Sequence, residues 1–339
     1  MAKVLVTGAS GFIGSHLTSA LVARGDEVTC LVQKTSQIEG LNRLGLRLVY
    51  GDVTQHESLM PAVAGQDIVY HLAGLTLALT KRQFFRVNQG GIRNIARVCA
   101  AQESPPVLLV VSSLAAAGPA LDGRPKIESD PAEPVSAYGR SKRAGEQEAE
   151  SFADRVPTTI IRPPIVLGER DRLGLPMFRS VNRFGIHVVP GLGRHRFSLI
   201  HAADLVELLI LAAQRGKRLA PPGQNGSQTG QGYYFAACED DLVYDDLGRL
   251  IGKVLGRRRV APVHIASPVV WMVAAAVEAV SQITRRPLYL HIDKVREVTA
   301  GSWICSPRRA KEELGFSVKA PLVERLRQTA RWYRKEGWL

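Results

Sequence analysis

Thr7-Gly8-Ala9-Ser10-Gly11-Phe12-Ile13-Gly14 is the stretch whose reading decides the fold. It follows a short apolar run, Val4–Val6, and opens a helical pattern, Phe12–Arg24. Gly8 permits a tight turn, Gly11 lets a backbone approach a pyrophosphate, and Gly14 lets helix and strand pack closely. The free N–H groups and the dipole of the helix start then face phosphate oxygens. A glycine triplet alone also fits an ordinary strand-to-helix turn. The strand–turn–helix context favours a dinucleotide site.

Working outward, further strand candidates are Val28–Val32, Leu46–Tyr50, Ile68–Leu72, Leu108–Ser112 and Thr158–Arg162. Each is short and mostly apolar, as strands buried on both faces of a parallel sheet should be. Helical patterns lie between them: Ser58–Val63, Gln83–Ala101 and Ala137–Ala153. This alternation predicts an α/β fold, a Rossmann-type doubly wound parallel sheet with right-handed crossovers. From Gly168 to Leu199 Gly, Pro and Arg are frequent, and a helical pattern Ala203–Arg215 follows. Pro221–Gly232 reads as a surface loop, Tyr233–Ala237 as a strand, and Leu322–Tyr333 as an amphipathic helix. The expected division is a dinucleotide-binding domain over 1–167, with 199–237 contributing back to it. A smaller, mostly C-terminal α+β substrate-binding part would comprise 168–198 and 238–339.

Composition sets the outer limits. The 339 residues are 45% apolar and 22% charged, which excludes a disordered or collagen-like chain. Lys plus Arg number 44 against 31 for Asp plus Glu, a net charge of +13. That excess suits nucleic acid, an anionic membrane surface or a phosphate-bearing ligand and does not choose among them. The basic residues are scattered and no recognition module is visible, so no nucleic-acid partner is expected. Cys30, Cys99, Cys238 and Cys305 form no C-x-x-C pair and have no His cluster beside them. No metal site is expected, and a reducing, cytoplasmic setting is the better reading. The N-terminal apolar run is too short for a signal peptide. The most apolar segment, Pro268–Ile283, carries Glu278 and stops before Arg285-Arg286. It is expected to be a buried helix walling a substrate pocket. The sharper alternative lays 268–286 on the inner face of a membrane, as a peripheral contact.

The chemistry-bearing residues fall near strand ends. Tyr138 and Lys142 stand four apart in Ser136-Ala137-Tyr138-Gly139-Arg140-Ser141-Lys142, which puts both on one helix face. An ammonium beside a phenol lowers the phenol pKa from ~10 and suits it to move a proton. Ser112-Ser113 ends the strand Val107–Val111, where ligands of parallel sheets bind. Ser113 is the candidate to hold a substrate oxygen, and Ser112 the candidate cap hydroxyl. The second strand ends Val32-Gln33-Lys34 with no acid for a ribose. Lys34 would suit a 2′-phosphate, so the reading leans from NAD to NADP. Asp52, in Gly51-Asp52-Val53, is a candidate adenine contact or a simple helix cap.

These pieces together resemble the extended short-chain dehydrogenase/reductase family, also called the NAD-dependent epimerase/dehydratase family. The matching segments are Thr7–Gly14, Gly51–Val53, His71–Gly74, Val87–Gly91, Val110–Ser113, Tyr138–Lys142, Arg162–Gly168 and Leu199–Leu205. The resemblance implies bound NAD or NADP and a triad of Ser113, Tyr138 and Lys142, with Tyr138 as general acid/base. It implies that Lys142 also binds ribose hydroxyls. Gly8, Ser10, Gly11, Phe12, Ile13 and Gly14 would cradle the pyrophosphate, with Asp52 and Val53 near the adenine. Leu72, Ala73, Gly74 and Asn88 would line the cofactor, and Pro163 and Pro164 would face the nicotinamide. Relatives often dimerise through two helices, here Gln83–Ala101 and Ala137–Ala153, which implies a homodimer.

Two departures bear on the small-molecule substrate. Sugar-nucleotide epimerases of the family commonly carry Asn where this chain has Ile165, and Arg where it has Phe197. The Arg162-Pro163-Pro164-Ile165-Val166 pattern looks more like the branch of 3β-hydroxysteroid dehydrogenases and dihydroflavonol reductases. That branch implies a secondary alcohol or ketone on a sterol-, terpenoid- or flavonoid-like substrate. The alternatives are a sugar-nucleotide epimerase or dehydratase that uses Arg172, Arg194 and Arg196 for phosphates, and a non-catalytic NAD(P)-binding regulator.

Overall fold

The computed structural model describes residues 1–339 except 121–122, 192, 224–228 and 240. Its centre is a seven-stranded sheet in the order β11-β6-β5-β4-β1-β2-β3. The strands are β1 (Lys3–Thr7), β2 (Glu27–Val32), β3 (Arg47–Tyr50), β4 (Ile68–His71), β5 (Val107–Val111), β6 (Thr158–Arg162) and β11 (Tyr233–Phe235). All neighbours are parallel. Parallel neighbours need crossovers, and the helices that make them cover both faces, which is why the strands are mostly apolar. The strand order reverses beside β1, so the carboxyl ends of β1 and β4 open a crevice.

On one face, α1 (Phe12–Ala23) and α9 (Ala202–Arg215) pack on the sheet through Leu17, Leu21, Leu205, Leu208 and Leu209. On the other, α3 (His56–Val63), α5 (Gly90–Ala100) and α7 (Ala137–Glu150) pack through Leu59, Ile92, Ile95 and Ala149. The expected helix Gln83–Ala101 is a composite. A short α4 (Lys81–Phe84) is followed by a π-helical turn, Phe85–Gln89, before α5 begins. The remaining short helices of this half are α2 (Glu39–Asn42) and α6 (Leu114–Ala117).

A second lobe builds its own core from Phe178, Phe197, Leu247, Ile251, Leu326 and Tyr333. Its elements are β7 (Ile165–Leu167), α8 (Leu175–Phe184), β8 (Ile186–Pro190), β9 (Arg196–Phe197), β10 (Leu199–His201), β12 (Leu242–Val243), α10 (Tyr244–Leu255), β13 (Ala261–Ile265), α11 (Ser267–Thr284), α12 (Ile292–Thr299), α13 (Arg308–Leu314) and α14 (Leu322–Lys335). The strands pair two by two, β10 with β7, β12 with β9, and β13 with β8. Asp204 on α9 is buried and accepts from the Arg325 guanidinium of α14 at 2.5 and 2.8 Å, which ties the C-terminal helix to the sheet half.

Two expectations are corrected here. The segment Pro268–Ile283 is helical but not a buried wall: in α11 only Val270, Ala274 and Ser281 are buried. A helix that packs on one neighbour along one narrow face leaves the rest of its surface outside. Phe197 does not line a substrate cleft. It is buried against the Tyr244 ring at 5.1 Å, because β9 turns it into the lobe's core. Of the loop Pro221–Gly232, residues 224–228 lie outside the described residues.

Candidate active site

The glycine turn makes a cradle for an anion. Gly8 has φ +73°, and a Cβ there would sit 2.7 Å from the Ala73 nitrogen. A Cβ on Gly14 would meet the Gly8 carbonyl at 2.1 Å. Gly11 caps α1 without a side-chain hydrogen bond, and the first turn of α1 carries no acid. The open N–H groups and positive dipole end therefore point into the crevice without competition from a carboxylate.

A cleft of about 350 Å³ runs from this turn. Gly8, Ser10 and Gly11 form one wall, and Leu72, Ala73 and Gly74 form another. Asp52, Val53 and Gln33 close one end. Asp52 accepts from Thr54 N, from Thr54 Oγ1 and from Gln33 Nε2, all at 2.8 Å. These bonds hold its carboxyl below the usual range against the opposing pull of burial, the largest influence on it. Lys34 is exposed and is not among the residues lining the cleft. The chain turns there, and Ser36 and Arg86 stand at that end instead. Phe12 and Ile13 are half-buried on α1. Sequence reasoning missed Arg86, although it lies two residues before Asn88 in a segment already under consideration.

Asn88 works through the backbone. It is buried, its Oδ1 accepts from Leu75 N at 2.8 Å, and its Nδ2 donates to Leu75 O and Ser141 Oγ. The π-helical turn brings this side chain in to pin the Gly74–Leu75 rim onto α7. His71 is buried with Nδ1 3.0 Å from Thr7 Oγ1, and burial pushes its pKa down to about 3, so it is neutral.

Ser113, Tyr138 and Lys142 gather at the carboxyl end of β5, beside the cleft. Ser113 caps α6, its Oγ accepting from Ala115 N at 3.1 Å. The cap role expected of Ser112 thus falls on Ser113, whose hydroxyl also acts to lower the Tyr138 pKa. Lys142 reaches the strand end, donating from Nζ to Val111 O at 2.7 Å. A Cβ built on Gly74 would lie 3.7 Å from that Nζ, so the cleft floor and the lysine are contiguous. Burial brings the Lys142 pKa down to about 8, with Glu146 pulling the other way.

The expectation that Lys142 depresses the Tyr138 pKa is corrected. Burial, the largest influence, holds the phenol above its ordinary value; the Ser113 hydroxyl and the Lys294 ammonium oppose it, and Glu297 adds to it. Lys142 spends its ammonium on the Val111 carbonyl. Pro163 is buried and accepts from Leu114 N, while Pro164 is half-buried between β6 and β7.

The start of α7 is held from the second lobe, which no sequence signal suggested. Asp293 on α12 accepts from Ala137 N at 2.8 Å and from Tyr138 N at 3.2 Å. Ser136 caps α7 and donates to Glu297 Oε1 at 2.6 Å. Lys294 Nζ lies 2.7 Å from Glu297 Oε2. An acidic pair at a helix N-terminus satisfies orphan N–H groups and complements the dipole. At the other end of α7, buried Glu146 makes a two-pronged pair with Arg162, at 2.8 and 2.6 Å, and Arg162 lies over the Tyr233 ring.

Residues 4–224 match the NAD dependent epimerase/dehydratase family. The ceramide reductase of Caulobacter vibrioides is 30% identical over 337 residues, covering 99% of this chain and 96% of the relative. The 4-hydroxy-2-methyl-3-oxo-4-farnesyl-3,4-dihydroquinoline-1-oxide ketoreductase of Stigmatella aurantiaca is 32% identical over 63% of this chain and 65% of its own length. The UDP-glucose 4-epimerase structure from Thermotoga maritima superposes with a TM-score of 0.76 at 21% identity, covering 98% of this chain and 99% of that one.

Proposed function

Because the chain belongs to the NAD-dependent epimerase/dehydratase family, and so to the extended short-chain dehydrogenase/reductase enzymes, we propose that it reduces a ketone on an apolar or polycyclic substrate to a secondary alcohol. The observation that carries this reading is the continuity of the cleft with the Ser113–Tyr138–Lys142 group through Gly74. The reduced dinucleotide, NADH or NADPH, would supply the hydride when bound and would leave oxidised. Gly8, Ser10, Gly11 and Gly14 hold its pyrophosphate in this reading, Asp52 and Val53 its adenosine half, and Lys142 its ribose hydroxyls. Ser113 steadies the carbonyl oxygen. Tyr138 keeps its proton at neutral pH and gives it to that oxygen as charge develops there.

The apolar substrate is supported by the groups a sugar nucleotide would need. Arg196 is paired with Asp241 at 3.0 Å, and Arg172 lies over the Trp338 ring. Ile165, 39% exposed, stands where relatives acting on sugar nucleotides commonly place an amide. The relatives named as ceramide and farnesyl-quinoline reductases point the same way. Residues 168–198 and 238–339 form the substrate-binding part in this proposal. A homodimer through α5 and α7 belongs to the same proposal.

The test is a cofactor-oxidation assay on the purified protein with NADH and NADPH. A 3-ketosteroid and a long-chain 3-ketolipid are offered beside UDP- and GDP-sugars. Consumption of reduced cofactor with an apolar ketone is expected. Conversion of a sugar nucleotide without added cofactor would instead establish an epimerase or dehydratase.

A further inference from the structure

The segment 257–289 distributes its charge and its apolar surface unlike the rest of the chain. It contains five arginines and one glutamate, with no lysine or aspartate. The arginines sit at its two ends, Arg257–Arg259 and Arg285-Arg286. Between them lies α11, eighteen residues and about 27 Å long at 1.5 Å per residue. It is long and apolar enough to cross a membrane by length and composition. Its buried side chains, Val270, Ala274 and Ser281, fall on one narrow face and pack toward Val295 of α12. The rest of its surface exposes Val269, Met272, Val273, Val280 and Ile283, with Met272 at 66% and Ile283 at 82%. The one acid, Glu278, turns inward and accepts from Ile292 N at 3.1 Å.

The strand that feeds α11 is built alike. In the β8–β13 ribbon Ala261 pairs with Ile186 and Val263 with Val188. Ile186, Val188 and Val263 are exposed, whereas His187 and Val189 of the same ribbon are buried. Alternation puts Ile186, Val188 and Val263 outward, where a half-buried strand usually presents polar residues.

We propose that α11, with the ribbon before it, is a docking surface for an anionic lipid bilayer. The apolar face enters the headgroup–acyl boundary, and Arg285 and Arg286 stay at the level of the phosphates. Charge decides for this occupant. A second copy of the chain would bring five more arginines against the same rim, whereas lipid phosphates complement it. The helix lies along the surface and does not span. β13 is paired residue by residue with β8, and Glu278 holds the start of α12, so both ends of α11 are tied to one lobe.

Docking here also sets the cleft against the bilayer. Gln282 donates to Leu79 O at 3.1 Å, five residues beyond Gly74, and α12 carries the Asp293 that grips Tyr138 N. Delivery of an apolar substrate from lipid into the cleft rests on the proposed function; the docking itself does not.

The test is flotation of the full chain with phosphatidylcholine vesicles, with and without phosphatidylglycerol. Wild type is expected to float with the anionic vesicles and to lose that binding in high salt. Met272→Glu/Ile283→Glu is expected to stay in the dense fraction. Arg285→Gln/Arg286→Gln is expected to bind about 30-fold more weakly, from two surface charges. Thermal unfolding and NAD binding, unchanged in both variants, show that the fold is intact. Failure of wild type to float, or flotation of both variants like wild type, overturns the proposal. So does a drop in mass of Met272→Glu/Ile283→Glu in lipid-free light scattering, which assigns the face to a second copy. Ketone reduction by a protein that does not float would sink docking alone; flotation without reduction would sink the proposed activity alone.

Discussion

Replacing Asp293 separates the position of Tyr138, the proposed proton donor, from the integrity of the proposed cofactor cleft. Its carboxylate accepts two N–H groups of the first turn of α7, at 2.8 and 3.2 Å, from a helix more than 150 residues away in sequence. A lost helix cap costs about 0.5–2 kcal/mol, and the charge–dipole part about 0.3–1 kcal/mol. Ser136 still caps Gly139 N at 2.8 Å, so the low end of the sum applies and Asp293→Ala should cost about 1–2 kcal/mol. Asp293→Asn keeps one acceptor oxygen and should cost about half of that. The larger effect falls on turnover. Tyr138 is itself one of the two residues held, and a shift of about 1 Å in a reacting group is enough for a ~100-fold loss. The cleft at Gly8–Gly14 is on another element and should not change. Stopped-flow or steady-state turnover, measured beside NADH binding and denaturant unfolding, resolves the three quantities. The expected pattern is a 10- to 100-fold fall in kcat for Asp293→Ala, by that reckoning, a smaller fall for Asp293→Asn, and unaltered NADH affinity. Wild-type turnover in Asp293→Ala, or equal losses of turnover and NADH binding, would refute the positioning argument.

Tyr138→Phe should lower turnover by about 10²–10⁴ while leaving NADH affinity unchanged. The phenol stands above its ordinary value in the free protein, so ketone reduction should be flat from acid to mildly alkaline pH, and alcohol oxidation should rise with pH; opposite profiles would remove Tyr138 as the proton donor. Gly14→Ala would place a methyl 2.1 Å from the Gly8 carbonyl, and overpacking of that kind costs about 1–3 kcal/mol. Weakened NAD binding and a lower Tm should appear together by calorimetry. Glu146→Gln leaves the Arg162 guanidinium buried without its counter-charge, a loss of about 3–5 kcal/mol in chemical denaturation. It also removes the charge that supports the Lys142 ammonium, so the lysine pKa should fall below its value of about 8.

The sheet half was legible because most of its strands are buried on both faces and therefore mostly apolar. The predicted runs such as Val28–Val32 and Thr158–Arg162 differ from the observed strands by a residue at most. The glycine turn was legible because sterics leave few residues for that bend. The second lobe was not. Its two- and three-residue pairs, β7 with β10 and β9 with β12, are too short for any period to show. Ile186 and Val188 face outward, since an alternating pattern does not say which side is covered. Phe197 was placed at the substrate because of what relatives carry there, and its burial against Tyr244 depends on an element far along the chain. The Tyr138–Lys142 spacing did put both residues on α7, but the lysine's rotamer, aimed at Val111 O, is fixed by β5 rather than by the helix. Asp293 and Glu297 were invisible for the same reason: nothing near them in sequence requires them.

The clamp on α7 gives synthesis of this enzyme an order of events. Every strand of the main sheet has been made once β11 ends at Phe235. A nascent chain at that stage has its nucleotide cradle and the Ser113 and Tyr138 side chains, but the helix bearing Tyr138 still lacks the carboxylates that grip its first turn. Those arrive with Asp293 and Glu297, several seconds later at ~5–20 residues per second. Arg325, which fastens the last helix to Asp204, comes later still. A partly translated chain would thus carry its nucleotide cradle before the grip on the Tyr138 helix is in place, and competence would wait for the second lobe.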